Sequence, residues 1–336
     1  MKGRIPAFDF TRVLCTFGII LFHFSLNTAS EFRPLGVFCN GVWGDIFVGI
    51  FFILSGGLLF VNNRDTSPAV FYYKRWKSIY PPFYIAYILC FVLTVFRDHD
   101  SLLKPLHYYI PTILGMDGLV NIFNLSSRFP TVYLIGEWFL CAIVICYLFM
   151  PPILWLSRKA DVVLLVVFFV MAHVIKINYV SNVSEWLMYM QIGIVFFKRE
   201  LWKNSYLFLL ASLGAFYLSY ITMPLDVRVR ETFLATCLFL VMSYLGQFIL
   251  QDEFLDKIFS KLSKWSFCIF LVHHIIMDNV FMLANSLHPD RAFLELMFIM
   301  AASVAGGFVL HVITSAVLKL LKKLENSSCL FGFLRV

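Results

Sequence analysis

Charge is what this 336-residue chain has least of. Only 14% of its positions are Asp, Glu, Lys or Arg, against about 25% in an ordinary soluble domain. Apolar residues make up 60% of the chain and mean hydropathy is +0.82. A water-soluble globule is excluded, and so is disorder, which needs low hydrophobicity and high net charge. The eight cysteines include no Cys-x-x-Cys and no Cys/His spacing of a metal site, so neither a disulfide framework nor a bound metal is expected. Internal repeats and low-complexity linkers are absent. No G-x-G-x-x-G or P-loop occurs, so any nucleotide would be gripped by charge rather than by a Gly-rich turn.

What is present is a succession of long uncharged runs. They lie between Arg12 and Glu31, Asp45 and Arg64, Lys77 and Arg97, Glu137 and Arg158, Lys203 and Asp226, Glu231 and Asp252, and Glu295 and Lys319. Each is 18 to 23 residues long, and about 20 apolar residues cross a bilayer as a helix. Shorter stretches at 162–175 and 186–197, and one at 265–289 interrupted by Asp278, raise the expected number of spans to about ten. The reading is an all-α integral membrane protein, a bundle of about ten transmembrane helices. The net charge of +7 is a topology signal. With the N-terminus inside, 18 basic residues fall in inner segments and 8 in outer ones, so both termini are expected in the cytoplasm and no nucleic-acid partner is expected. The start of the chain superficially resembles a secretory leader, but Arg12 and His23 do not suit its apolar core. The longest connection, 97–132, holds Pro105, Pro111, Gly115, Gly118 and Pro130. It reads as a structured or re-entrant loop, with a disordered connector as the alternative.

Ionisable residues inside spans are costly and tend to be functional. Arg12 and His23 are 11 residues apart, within about 20° of three full helical turns, so they share one stripe about 16 Å apart along the axis. Asp9, three residues before Arg12, can hold its guanidinium. A neutral imidazole deep in the membrane can take a proton from a hydroxyl; the alternative is a histidine bonded to a neighbouring helix. Glu137 lies at a depth matching His23 and could orient it, or it faces water at the rim. In the late span His274 and Asp278 share a face, while His273 points about 100° away. Ser55-Gly56-Gly57 suits close helix approach. His173 reads as a packing or rim residue. Lys74, Arg75 and Lys77 cluster where inner-side charges belong and where phosphates could be held.

The opening FDFTRVLCTFGIILFHF, with its R-x10-H spacing, resembles the first helix of the membrane acyltransferase 3 family. FFILSG at 51–56 resembles the family's FF-x-x-SG element, KRWKSIYPPFY at 74–84 its basic run before I-x-P-x-[FY], and WSFCIFLVH at 265–273 its late L-x-H segment. WFLCAIVICYLFMPP at 138–152 adds a weaker likeness. Departures occur at Gly49, where many members have an acid, at Ser78, where many have a second arginine, and at Ile143 and Gly136, around Trp138. The resemblance implies a bacterial inner-membrane enzyme that O-acylates envelope glycans from acyl-CoA, usually acetyl-CoA. It carries over to Arg12, His23, Ser55, Arg75 and His273.

The combined expectation is one acyltransferase-like transmembrane domain over 1–325 and a short cytoplasmic tail over 326–336. Acetyl-CoA would be held by Arg12, Lys74, Arg75 and Lys77, and a saccharide or lipid-linked glycan would accept the acyl group. The catalytic set would be His23, Glu137 and His273, supported by Asp9, Ser55, His274 and Asp278. A transporter or flippase of an envelope precursor is the alternative, since intramembrane charges and a broken helix would serve it too.

Overall fold

The computed structural model describes residues 4–28, 42–63, 66–97, 105–122, 135, 138–175, 177–220, 226–284 and 292–327. Glu137 lies outside the described residues, as does the expected tail from residue 328 onward. All regular structure among the described residues is helical: α1 (Pro6–Thr28), α2 (Val42–Asn62), α3 (Pro68–Arg97), α4 (Tyr109–Ile113), α5 (Asp117–Ile122), α6 (Trp138–His173), α7 (Asn178–Arg199), α8 (Ser205–Tyr220), α9 (Val227–Ile249), α10 (Glu253–Ala284) and α11 (Ala292–Ser327). Six of these, α1, α2, α3, α6, α9 and α11, are long and apolar enough to cross a membrane. They answer to six of the seven long uncharged runs. The seventh run holds α8, which has only 16 helical residues. The protein is a multi-pass, all-helical membrane protein.

Helix α6 explains why two adjacent spans read as separate in the sequence. Its 36 residues would extend about 54 Å, far beyond a hydrocarbon core about 30 Å thick. The helix breaks at Ala160, whose φ of −138° and ψ of 45° are not helical, just after the charged pair Arg158-Lys159. Beyond the break Asp161 meets Lys198 and Arg199 at the C-terminal end of α7, while His173 lies beside Thr232 at the start of α9. Residues 161–173 therefore run antiparallel to α7.

The chain forms two compact units. The first joins residues 1–64, 152–266 and 284–300. Its core is built from α1, α2, α7 and α9. Phe8 stacks on Phe197 at 4.4 Å and meets Trp202 edge-on at 4.9 Å, and Phe24, Phe52 and Phe239 are fully buried. Lipid is as apolar as these side chains, so tight packing and internal hydrogen bonds hold the helices together. The closest approach joins α2 to α7. A Cβ on Gly193 would lie 1.8 Å from the Ile53 carbonyl oxygen, and one on Gly56 would lie 2.1 Å from that of Met190. Only glycine at both positions permits this crossing, which is the use the small residues around Ser55 suggested. Along 162–170 the exposed valines Val162, Val163, Val166, Val167 and Val170 form a continuous apolar face suited to lipid.

The second unit joins residues 65–151, 267–283 and 301–336. Here α3 packs on the first half of α6, with the Tyr72 hydroxyl donating to the Leu148 carbonyl at 2.9 Å. The long connection is structured over 105–122. Tyr80 and Tyr84 of α3 donate to the carbonyls of Leu114 and Ile113, at 3.0 and 2.9 Å. Thr112 closes the turn between α4 and α5 by donating to Asp117 at 2.7 Å.

Candidate functional site

In the first unit, the start of α1 is tied down by a continuous polar network. Asp9 lies 3.7 Å from Arg12, one turn on. Arg12 donates to the Ser263 hydroxyl at 2.8 Å, and that hydroxyl donates in turn to Asp9 at 2.5 Å. Arg4 donates to Asp9 at 2.5 Å and bridges to Asp256 through two bonds of 2.7 Å. Thus α10 contributes Asp256 and Ser263 to hold two arginines of the N-terminal segment. The sequence could not assign them this role, because the partners are some 250 positions apart and lie in an ordinary amphipathic pattern. Charges on neighbouring helices at this end are also paired. Asp161 is buried and bridges Lys198 at 3.0 Å and Arg199, while Ser157 and Gln191 bond at 3.0 Å beside them.

Along the same helix, His23 is half-buried, 11 residues beyond Arg12 on the shared stripe. Ser55 is half-buried next to the Gly56 crossing. Gly49, where the family pattern has an acid, faces Tyr189. A Cβ there would lie 2.9 Å from the Tyr189 ring, so the tyrosine occupies the space an acidic side chain would take.

At the opposite end of the first unit the N-termini of α2, α7 and α9 come together, and their acids are arranged differently. Arg228 lies 3.9 Å from Glu185 and donates to Asn182 at 3.2 Å. Asp45, Glu185 and Glu231 are within electrostatic reach of one another. Thr232 Oγ1 lies 3.4 Å from both the Tyr189 hydroxyl and His173 Nε2. The sequence reading passed over Glu185 and used Asp45 and Glu231 only as boundaries of apolar runs. The available signal was the recurrence of an acid within the first eight residues of α2, α7 and α9.

In the second unit Lys74, Arg75 and Lys77 are on α3 itself, which begins at Pro68, and helical spacing turns Arg75 away from Lys77. Arg75 packs between the rings of Phe71 and Tyr147, 6.0 and 5.8 Å from their centroids. Its Nε is buried and has no hydrogen-bond partner among the described residues. Lys77, about 200° further around the helix, lies over Tyr73 at 5.1 Å, and Lys74 is exposed. In α10, His273 is fully buried and its Nδ1 donates to the Phe270 carbonyl at 2.5 Å. Because a carbonyl only accepts, that bond fixes the proton on Nδ1 and makes Nε2 the basic nitrogen. The His274 ring stands 4.2 Å from that of His273, and Asp278, one turn on, is exposed.

An all-helical membrane bundle in which histidine, arginine and carboxylate side chains occupy apolar helices is the architecture of an integral membrane enzyme or transporter. The family comparison decides between these classes. The family model described as an acyltransferase domain matches residues 5–312, and the chain belongs to the membrane acyltransferase 3 family. The matched range includes Asp9, Arg12, His23, Ser55, Lys74, Arg75, Lys77, His273, His274 and Asp278. No curated protein and no solved structure matches the chain.

Proposed function

We propose that the protein is an O-acetyltransferase of the bacterial inner membrane, moving the acetyl group of cytoplasmic acetyl-CoA to a hydroxyl of an envelope saccharide. In this reading the chain crosses the membrane about ten times as a single functional domain, with both termini in the cytoplasm. The observation that carries it is the family match running from the Asp9–Arg12–His23 helix through the His273 segment.

The chemistry follows from the residue types. His23, neutral in an apolar setting, takes the proton from the acceptor hydroxyl as its oxygen bonds to the thioester carbonyl carbon. The tetrahedral intermediate then collapses, the carbon–sulfur bond breaks, and the CoA thiolate recovers the proton from the imidazolium. Water is excluded by the bundle, which favours the saccharide hydroxyl over hydrolysis. Arg12, Lys74, Arg75 and Lys77 supply positive charge for the CoA phosphates. His273, with its basic nitrogen set by Phe270, assists at the acyl group or the acceptor; Glu137 would orient His23.

Purified protein incubated with radiolabelled acetyl-CoA and envelope glycan should transfer label to the glycan. Mass spectrometry should find the O-acetyl group on surface glycans of cells with the gene and not of cells without it. Movement of a glycan precursor across the membrane with no acetyl transfer in either assay would overturn the proposal in favour of transport.

A further inference from the structure

The first part of α10, residues 253–264, has two faces of opposite character. One is committed to α1 and the segment before it. Asp256 accepts two bonds from Arg4, Ser263 bonds to both Arg12 and Asp9, and the Phe259 ring lies 5.2 Å from that of Phe10. About 130° around the helix from these contacts, Lys257, Lys261 and Lys264 are all exposed. They fall within about 60° of one another, and none forms an ion pair among the described residues. The acids of this segment do not neutralise them. Asp256 is bound to Arg4, and Asp252 accepts the Leu255 amide at 2.9 Å. Glu253 shares their side, one negative charge against three positive.

The contacts with α1 also fix the depth of this face. Arg12 is the last charge before the long uncharged run of α1. Ser263, bonded to Arg12, therefore lies where α1 enters the apolar layer, and Asp256 lies two turns further out beside Arg4. Lys257, Lys261 and Lys264 stand at the same levels, in the layer that lipid phosphates occupy. Trp265, next to Lys264, is half-buried, as suits an aromatic at the edge of the apolar layer.

We infer that this lysine face binds anionic phospholipid headgroups along the edge of the first unit. Each ammonium offers three donors and a full charge to phosphate oxygens. A zwitterionic headgroup brings its own cation and gains less from them. Lysines that serve only to orient the chain during insertion would show no preference among lipids once the protein is in place. The inference does not rest on the proposed transfer reaction.

The test is native mass spectrometry of the purified full chain without acetyl-CoA, titrated with phosphatidylglycerol or with phosphatidylcholine of the same chain length. Phosphatidylglycerol should be retained more tightly, and raising the ammonium acetate concentration should narrow the difference. Lys257→Gln, Lys261→Gln and Lys264→Gln should each weaken phosphatidylglycerol by about fivefold and leave phosphatidylcholine unchanged. Replacing the same three lysines with arginine keeps the charge and should keep the preference. Lys319→Gln, Lys322→Gln and Lys323→Gln together, on α11, remove three charges elsewhere and should change it little. Equal retention of the two lipids, a loss in the α11 variant as large as on α10, or displacement of phosphatidylglycerol by inorganic phosphate at the same concentration would overturn the inference.

Discussion

The two ends of the first unit are built from the same residue types and put them to opposite use. At one end, Asp9, Asp161 and Asp256 are each matched to arginine or lysine, with the Ser263 hydroxyl between Arg12 and Asp9. At the other, Asp45, Glu185 and Glu231 lie within electrostatic reach of one another and outnumber the nearby cations Arg228 and Arg230. Within a helical bundle, paired charges fix the register of helices that lipid alone would leave free to slide. Acids gathered without matching cations repel one another, and each raises the cost of keeping its neighbours charged. The difference teaches that the count of buried charges says little about function until their partners are known.

The comparison can be broken most sharply on the helix that starts at the paired end. His23→Gln should reduce acetyl transfer by about 10²–10⁴-fold, the usual cost of losing a general base, while membrane insertion and thermal unfolding stay as in the wild type. Transfer within a few-fold of wild type would remove His23 from the chemistry. A smaller effect is expected from Asp161→Asn, which leaves Lys198 and Arg199 facing a neutral group. The loss should be about 2 kcal/mol in thermal or denaturant unfolding, below the 3–5 kcal/mol of a fully buried pair because both cations are partly exposed.

Arg12→Ala and Arg75→Ala should each weaken CoA binding, by about tenfold if a phosphate contact is lost. Raising salt should weaken binding further wherever the arginine is solvent-accessible. CoA affinity equal to wild type in both variants would leave these residues as helix anchors only. The smallest change is expected at the acidic end. Glu231→Gln should leave the unfolding free energy unchanged or raise it, by up to about 1 kcal/mol, because it removes a charge that Asp45 and Glu185 repel. A clear destabilisation there would mean that Glu231 is held like Asp161, and the contrast between the two ends would disappear.

Much of the fold was legible because bilayer thickness turns apolar length into a physical measurement. Six long uncharged runs reappear as six helices able to cross a membrane. The R-x10-H stripe was legible for a similar reason, since 3.6 residues per turn fixes which residues share a face. The helical segments on either side of Ala160 were anticipated from Arg158 and Lys159, which few spans would carry at their centre.

Helical periodicity does not name the partner of a side chain, and that limit explains what the sequence left open. Ser263 and Asp256 hold Arg12 and Arg4 from α10, and Tyr189 takes the place opposite Gly49. Arg75 and Lys77 read as one basic cluster because they are two residues apart, yet α3 begins early enough to turn them to nearly opposite faces. Composition, run length and spacing by themselves determined that this is a polytopic helical membrane protein, because those properties depend only on local chain geometry and on the apolar solvent; its acyltransferase character came from motifs that resemble a known family. Tertiary structure alone decided which charges are paired and which gather with others of the same sign, because a hydrogen bond closes between atoms brought together in space, whatever their separation along the chain.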